Sequence, residues 1–271
     1  MTRVSFPGTR GTYSESAAKS FFGESAVTVP AETCGEALGM VESGESEYAA
    51  IPIENMLEGA VGQSYDLLLS TSLTIVGEIY YPIRHCLIGL GDIGQASTIY
   101  SHPQALEQCR KFIECHGLRR MVTSSTADGV KIVRDLNRAD AVCIASEGAA
   151  QLYGIPVMLR NIADHPRNHT RFFIMSGEAA GPARRSKTSL VVSVRNESGA
   201  LYRVLGHFRD HGINITKMVS RPKEAGSWEY NFFIDFDGHY QNSNIQEVIS
   251  EIKQQTSFLK LLGSYPASPV P

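Results

Sequence analysis

Three stretches of the chain place hydroxyl and amide side chains where a strand hands over to a helix: Gly8-Thr9-Arg10-Gly11-Thr12-Tyr13-Ser14, Ser101-His102-Pro103-Gln104 and Thr123-Ser124-Ser125-Thr126-Ala127. At any one junction plain capping accounts for the pattern, since Thr12 and Glu15 have capping-box spacing and Pro103 suits a first helical position. Together they fit a second purpose. In an open α/β sheet the carboxyl ends of strands line a crevice, and bare helix N-termini attract anions. Each terminus contributes ~0.3–1 kcal/mol toward a negative group, so several must converge to hold a small dicarboxylate. The glycine loop has no following lysine, too little to argue for a nucleotide.

The segment Asn168-His169-Thr170-Arg171-Phe172-Phe173 leads polar residues straight into a hydrophobic run. Extended, it sets Asn168, Thr170 and Phe172 on one face and His169 and Arg171 on the other. Thr170 is no strong base; as a positioned hydroxyl it can donate a hydrogen bond to a leaving oxygen, and it can equally be an ordinary strand-start threonine. Other constellations carry less. His207 and His211 sit four apart on a predicted helix, but the stretch between them is no zinc-protease motif, and Pro166 works against a shared helical face for His165 and His169. No metal site is expected. The absence of a Gly-x-Ser-x-Gly elbow leaves an α/β serine hydrolase without a foothold.

What must position these groups is a chain of 271 residues, 42% hydrophobic and 20% charged, enough for a core in one large domain or two unequal ones. Its 25 Lys and Arg against 28 Asp and Glu give a net charge of -3. That supplies no basic field for a nucleic acid backbone, and local groups must hold any anionic ligand. No apolar stretch approaches the roughly 18 residues of a membrane span, and the start enters a glycine-bearing loop before a signal-peptide core forms. The five cysteines include no Cys-x-x-Cys pair and read as free thiols. A cytoplasmic protein without membrane or nucleic acid partners is expected.

From residue 1 to 178, β-rich runs alternate with amphipathic stretches, the signature of an α/β domain. Strands are predicted near Arg3–Phe6, Ala49–Ile53, Ile75–Leu90, Thr98–Tyr100, Ala141–Ala145 and Phe172–Met175. Helices are predicted at Tyr13–Phe22, Gly35–Glu42, Gln63–Leu69, Pro103–Cys115, Ala127–Asp135 and Glu147–Tyr153. Residues 179–187, small, turn-forming and basic, read as a linker. Beyond it, strand Ser189–Val194, helix Ala200–His211, strands Ile213–Ser220 and Glu229–Phe236, helix Ile245–Gln254 and strand Leu259–Gly263 make a ferredoxin-like βαββαβ order. The proline-rich end, Tyr265 to Pro271, is expected to fray.

Four segments in this order, Gly8 to Ser14, Ile51-Pro52-Ile53-Glu54-Asn55, Ser101-His102-Pro103-Gln104-Ala105-Leu106 and Thr170-Arg171-Phe172, resemble the motifs of prephenate dehydratases. The C-terminal part resembles their ACT regulatory domain, with Gly199-Ala200-Leu201 and Ser220-Arg221-Pro222 matching its two ligand-loop motifs. The resemblance implies a catalytic domain over 1–178 built of two lobes closing on a cleft, similar to periplasmic binding proteins, with the second lobe near 80–159 and the ACT domain over 188–271. It implies conversion of prephenate to phenylpyruvate by loss of carbon dioxide and water, on the route to phenylalanine. That reaction needs no metal or organic cofactor, because expelling the ring hydroxyl and ring carboxylate together creates an aromatic ring. The enzyme must hold two carboxylates, polarise the departing hydroxyl and strip water from the departing carboxylate. By the family's pattern Thr170 stands at the leaving hydroxyl, with Arg171 and Phe172 completing the motif. Thr12, Ser14, Asn55, Ser101, Gln104, Ser125, Thr126 and Asn168 would line the pocket. Strand alternation points Arg171 away from Thr170, so it either binds substrate or braces the lobes.

The effector implied is phenylalanine, bound where ACT domains pair, by Gly199, Ala200, Leu201, Asn214, Ser220, Arg221 and Pro222. Edge strands and one open sheet face would let the domains pair into a homodimer or homotetramer. Three positions depart from the family's pattern: Met56 and Ala60 stand where serines are usual, and Val219 replaces a glutamate that could order the effector loop. Arogenate dehydratase, which performs the same elimination on an amino-bearing substrate, is the nearest alternative. A catalytically silent amino-acid sensor is another, against which the retained Thr170-Arg171-Phe172 argues.

Overall fold

A computed structural model describes residues 1–223 and 229–271. The chain begins with β1 (Arg3–Pro7), α1 (Tyr13–Phe22), β2 (Val27–Ala31), α2 (Cys34–Glu42), β3 (Tyr48–Asn55), a short β4 (Gly59–Ala60), α3 (Gly62–Ser70) and β5 (Thr74–Pro82). It crosses into a second lobe of β6 (Cys86–Gly89), β7 (Thr98–Ser101), α4 (Pro103–Gln108), α5 (Arg110–Cys115), β8 (Arg119–Val122), α6 (Thr126–Leu136), β9 (Ala141–Ala145), α7 (Glu147–Tyr153) and β10 (Val157–Leu159). Strand β11 (His169–Ser176) then returns to the first lobe. The first sheet has the order β2-β1-β3-β11-β5, with β4 beside β3; the second runs β10-β6-β9-β7-β8. The return of β11 between β3 and β5 makes the lobes share two chain crossings, the two-lobed arrangement of periplasmic binding proteins.

The sequence-based expectations need correction in this part. The run Ile75–Leu90 is two strands in different sheets, divided where the chain passes between lobes at Ile83–His85. The helix Pro103–Cys115 breaks at Cys109, whose backbone (φ -115°, ψ 25°) leaves the helical region; Leu106 and Cys109 before the break and Ile113 after it lie in one core cluster. Strands β2, β4, β8 and β10 lie outside the predicted set. β2, β8 and β10 are sheet edges and β4 is a two-residue pairing beside β3; β8 is exposed at all four positions, so burial imposes no alternation on its residues.

The C-terminal domain consists of β12 (Ser186–Ser193), α8 (Ala200–Asp210), β13 (Ile215–Pro222), β14 (Tyr230–Asp237), α9 (Ser243–Gln255) and β15 (Phe258–Pro266), in the antiparallel order β13-β14-β12-β15. Apolar residues at helical spacing, Val204 and Phe208 on α8 and Ile245, Val248 and Ile252 on α9, cover one face of this sheet. The other face is not open, as a ferredoxin-like unit alone would leave it. Val191, Phe233, Leu262 and Tyr265 share a core with Ile51, Ile53, Phe173 and Met175 of the first sheet. Backbones meet there: a Cβ on Gly263 (φ +149°) would lie 2.3 Å from the Ile75 carbonyl oxygen, so only glycine fits.

The same packing orders the chain end that was expected to fray. Tyr265 is buried and bonded to Arg171 and Ser189, and Ser268 bonds both the backbone carbonyl and the carboxylate of Glu78. Ser186 and Lys187, the last residues of the expected linker, are already in β12. No helix among the described residues is long and apolar enough to cross a membrane.

Candidate active site

Strands β3 and β11 end side by side at a cavity of about 270 Å³ between the lobes. Their antiparallel register sets Thr170 opposite Asn55 and Phe172 opposite Pro52, and all four line the cavity. The register slips between Arg171 and Phe172, leaving Ile53 without an opposite residue; bulges of this kind re-aim side chains at strand ends.

Asn55 is fixed by the backbone that follows it. Its Oδ1 accepts from the N–H groups of Leu57 (3.0 Å) and Glu58 (3.3 Å), so its Nδ2 is the end that donates, to Thr170 Oγ1 at 3.0 Å and to Asn168 Oδ1 at 3.0 Å. Since Thr170 Oγ1 accepts this bond, its own hydrogen is available to the cavity. The chain of bonds continues: Asn168 Nδ2 donates to Gln108 Oε1 (3.1 Å), and His85 Nε2 lies 2.8 Å from the same oxygen. An amide oxygen only accepts, so His85 carries its proton on Nε2 and turns Nδ1 to the Tyr13 hydroxyl, 3.1 Å away. Gln108 Nε2 donates across the cleft to Glu58 Oε1 at 2.9 Å. Burial pushes the His85 pKa down against the opposing bond from Gln108, and it pushes the Tyr13 phenol well up. The Tyr13 hydroxyl also donates to the Arg84 carbonyl at 2.8 Å, so one wall is a connected hydrogen-bond network that runs from Tyr13 to Glu58 and frames the Thr170 donor.

The three strand-to-helix junctions converge here, and at α4 the cap itself, His102, whose ring accepts from Gln104 N at 3.3 Å, is in the lining. Ser14, Gln104 and Thr126, in the first turns of α1, α4 and α6, line the cavity. Thr12, Ser101 and Ser125 do not. Ser101 Oγ is used up on the Ile144 carbonyl (2.7 Å), and Ser125 caps Asp128 N and bonds its carboxylate. Thr12 sits at the N-cap without a side-chain cap bond, its buried hydroxyl having no partner, and Glu15 accepts from Gly11 N at 2.6 Å instead of from Thr12 N, so the capping box does not form. Asn168 stands behind Asn55 rather than in the lining. No Lys or Arg is among the described residues that line the cavity, so a dianion there meets the N-termini of α1 and α6 and the polar side chains.

Arg171 does not face this cavity. Its guanidinium, 2% exposed, lies on the opposite side of β11 between Glu78 (2.8 Å) and Asp235 (2.6 Å). It therefore braces the first lobe against the C-terminal domain. Met56 and Ala60 are also outside the lining; Met56 is 62% exposed and its N–H pairs with the His169 carbonyl.

In the C-terminal domain Ala200 and Leu201 line a cavity of about 140 Å³ with Val194, Glu197, Tyr230 and Phe232, at the start of α8 where Gly199 adopts φ +80°. The other expected effector residues lie elsewhere: Asn214 bonds Asp237, Ser220 and Pro222 are exposed on β13, and Arg221 pairs with Asp66 of α3 at 2.8 Å. Val219 faces the catalytic core, so its apolar side chain is a packing choice and not a gap in a ligand loop. His207 and His211 both bond the Glu251 carboxylate.

Sequence reasoning missed several lining residues. Tyr13, Pro52, His102 and Ala105 sit within the quoted motifs and carried a signal; Val61, Ile83, His85 and Gln108 lie outside them, and only the meeting of the lobes brings them in.

The family model for prephenate dehydratase matches residues 4–180 and that for the ACT domain residues 188–254. A bifunctional chorismate mutase/prephenate dehydratase of Aquifex aeolicus is 38% identical over 267 residues, spanning 97% of this chain and 73% of that protein. Among solved structures, a prephenate dehydratase from Arthrobacter aurescens in complex with L-Phe superposes with a TM-score of 0.89 at 28% identity, covering 98% of this chain and 90% of that one. GqqA, described as a novel type of quorum quenching acylase, also superposes at 0.89, with 33% identity and 98% of both chains covered. With its two-lobed catalytic fold, ACT domain and hydroxyl donor in the cleft, this chain belongs to the prephenate dehydratase family and has lyase activity of that type.

Proposed function

We propose that the cavity at Thr170 takes prephenate and converts it to phenylpyruvate, carbon dioxide and water. The observation that carries this reading is the Asn55–Thr170 bond, which turns the Thr170 hydrogen toward the ligand. In the elimination the bond to the ring carboxylate breaks, its electron pair enters the ring, and the bond to the ring hydroxyl breaks with uptake of one proton from solvent. Thr170 donates a hydrogen bond to that oxygen as charge develops on it. The first-turn groups of α1 and α6 meet the carboxylates, with Ser14, Gln104 and Thr126. Pro52, Val61, Ile83, Ala105 and Phe172 supply apolar wall, against which a carboxylate loses hydration and leaves more readily as neutral carbon dioxide. The test is phenylpyruvate formation by the purified chain, with arogenate assayed beside prephenate. Faster turnover of arogenate would reassign the substrate, and turnover of neither would remove the reading.

Likeness to a quorum quenching acylase raises a second reading. Acyl transfer requires a nucleophile beside a group that can take its proton. The Thr170 hydroxyl is bonded to an amide, which cannot, so elimination is favoured. Release of an amine from an acylated amine by the same preparation would restore the acylase reading.

Residues 1–178 serve as the catalytic unit and 188–271 as the regulatory one, in which phenylalanine binds near Ala200 and Leu201. Support comes from the ACT match and from the L-Phe in the Arthrobacter structure. With one sheet face covered by helices and the other by the catalytic lobe, pairing of chains falls to the edge strands β13 and β15. Calorimetry with millimolar phenylalanine, with sedimentation in parallel, checks both. The chain works in the cytoplasm, where buried thiols such as Cys109, pushed up to about 12 chiefly by burial, stay reduced.

A further inference from the structure

The residues next to Thr170 and Asn55 are themselves a pair. Arg171 and Glu54 stand opposite one another in the register of β11 and β3, on the face turned away from the cavity. Above them in the C-terminal sheet, Asp235 and Lys217 are likewise opposite one another on β14 and β13. The two pairs are joined crosswise, cation to anion: Arg171 to Asp235 at 2.6 Å, and Lys217 to Glu54 in a close ion pair. The first arm is buried, and Tyr265 and Ser189 complete the bonding of Arg171 and Asp235. The second arm is partly exposed, Lys217 at 20% and Glu54 at 29%.

The C-terminal sheet thus holds the backbone one residue from Thr170 and one residue from Asn55, on both strands that meet at the donor. Strand β13, which carries Lys217, continues through Val219, packed on the catalytic core, to Ser220-Arg221-Pro222.

We propose that this crossed double ion pair is the coupling through which the C-terminal domain sets the Asn55–Thr170 hydrogen bond, with Arg171 and Glu54 as positioning residues and Lys217 as the arm by which a ligand that moves β13 reaches the cavity. The proposal rests on the reading of Thr170 as donor to the leaving hydroxyl. A shift of β13 relative to β14 pulls Glu54 but not Arg171, which Glu78 and Asp235 grip independently. The two strands then move unequally, and the Asn55–Thr170 bond between them is what changes.

The test uses the full chain with Lys217→Met, Glu54→Gln and the double variant Lys217→Met/Glu54→Gln, alongside Asp66→Asn, which breaks another ion pair to the same strand. Hydrogen exchange of segments 53–57 and 168–172 is read first, because it needs no turnover. Each single charge removal is expected to speed exchange there by about threefold or more, the double variant to add nothing beyond the larger single effect, and Asp66→Asn to leave it unchanged. With prephenate, kcat falls by a similar factor at constant KM, and again no further in the double variant. Exchange rates equal to the parent's in both single variants overturn the proposal, as does an equal effect of Asp66→Asn, which would mean general loosening of the domain. A parent protein inert on prephenate refutes the substrate reading and leaves the exchange measurement to decide this one.

Discussion

Replacing Thr170 by valine separates what its hydroxyl does for the fold from what it does for the reaction. Valine keeps the branched shape that suits the end of β11 and deletes one oxygen. In the resting protein Asn55 Nδ2 loses an acceptor at 3.0 Å but retains Asn168 Oδ1 at 3.0 Å, so the loss is about that of one neutral hydrogen bond, ~1 kcal/mol. In the transition state the missing group is a donor aimed at an oxygen gaining charge inside a cavity with no Lys or Arg among the described residues that line it, a loss of ~2.7–4 kcal/mol or ~10²–10³-fold in kcat. KM should barely move, because the carboxylates are met by α1 and α6. Thr170→Ser retains the donor and should retain most of the rate. Phenylpyruvate formation and thermal unfolding of the same preparations give the two quantities side by side. A valine variant that keeps kcat within about threefold of the parent's, or loses rate only in proportion to its unfolded fraction, refutes the assigned role.

Three further outcomes follow from the packing around the site. Burial holds the folded His85 pKa below its ordinary value, so the unfolded chain takes up a proton first as pH falls through about 6.5; His85→Gln should narrow the stability loss on acidification, and parallel melting-temperature curves for the two proteins from pH 7.5 to 5.5 would contradict this. Arg171→Leu leaves Glu78 buried with Lys187 alone and takes from the buried Asp235 its ion-pair partner. A destabilisation of ~3–5 kcal/mol in urea is expected, against less than ~1 kcal/mol for Arg221→Ala, whose ion pair with Asp66 is partly exposed. Gly263→Ala forces a Cβ onto the Ile75 carbonyl and should cost ~1–3 kcal/mol or more, seen as a lower urea midpoint together with faster proteolysis between the two domains.

Much of the molecule was determined by local sequence. Alternation on β11 fixed that Thr170 and Phe172 face one way and Arg171 the other, and the hydroxyl-rich junctions fixed where α1, α4 and α6 begin. Both are consequences of short-range sterics and hydrogen bonding that act within a few residues. The tertiary structure decided which member of each junction reaches the cavity: the hydroxyl of Ser101 is consumed on the Ile144 carbonyl and that of Ser125 caps α6, while Gln104 and Thr126 line the cavity. It also recruited His85 and Gln108, which no motif marks, and chose bracing over substrate binding for Arg171 by placing Asp235 above it. The proline-rich end has no periodicity to announce its order; a partner surface more than 180 residues earlier in the chain, at Glu78, holds it. Periodicity records which face a residue presents, but what waits on that face is a matter of contacts distant in sequence.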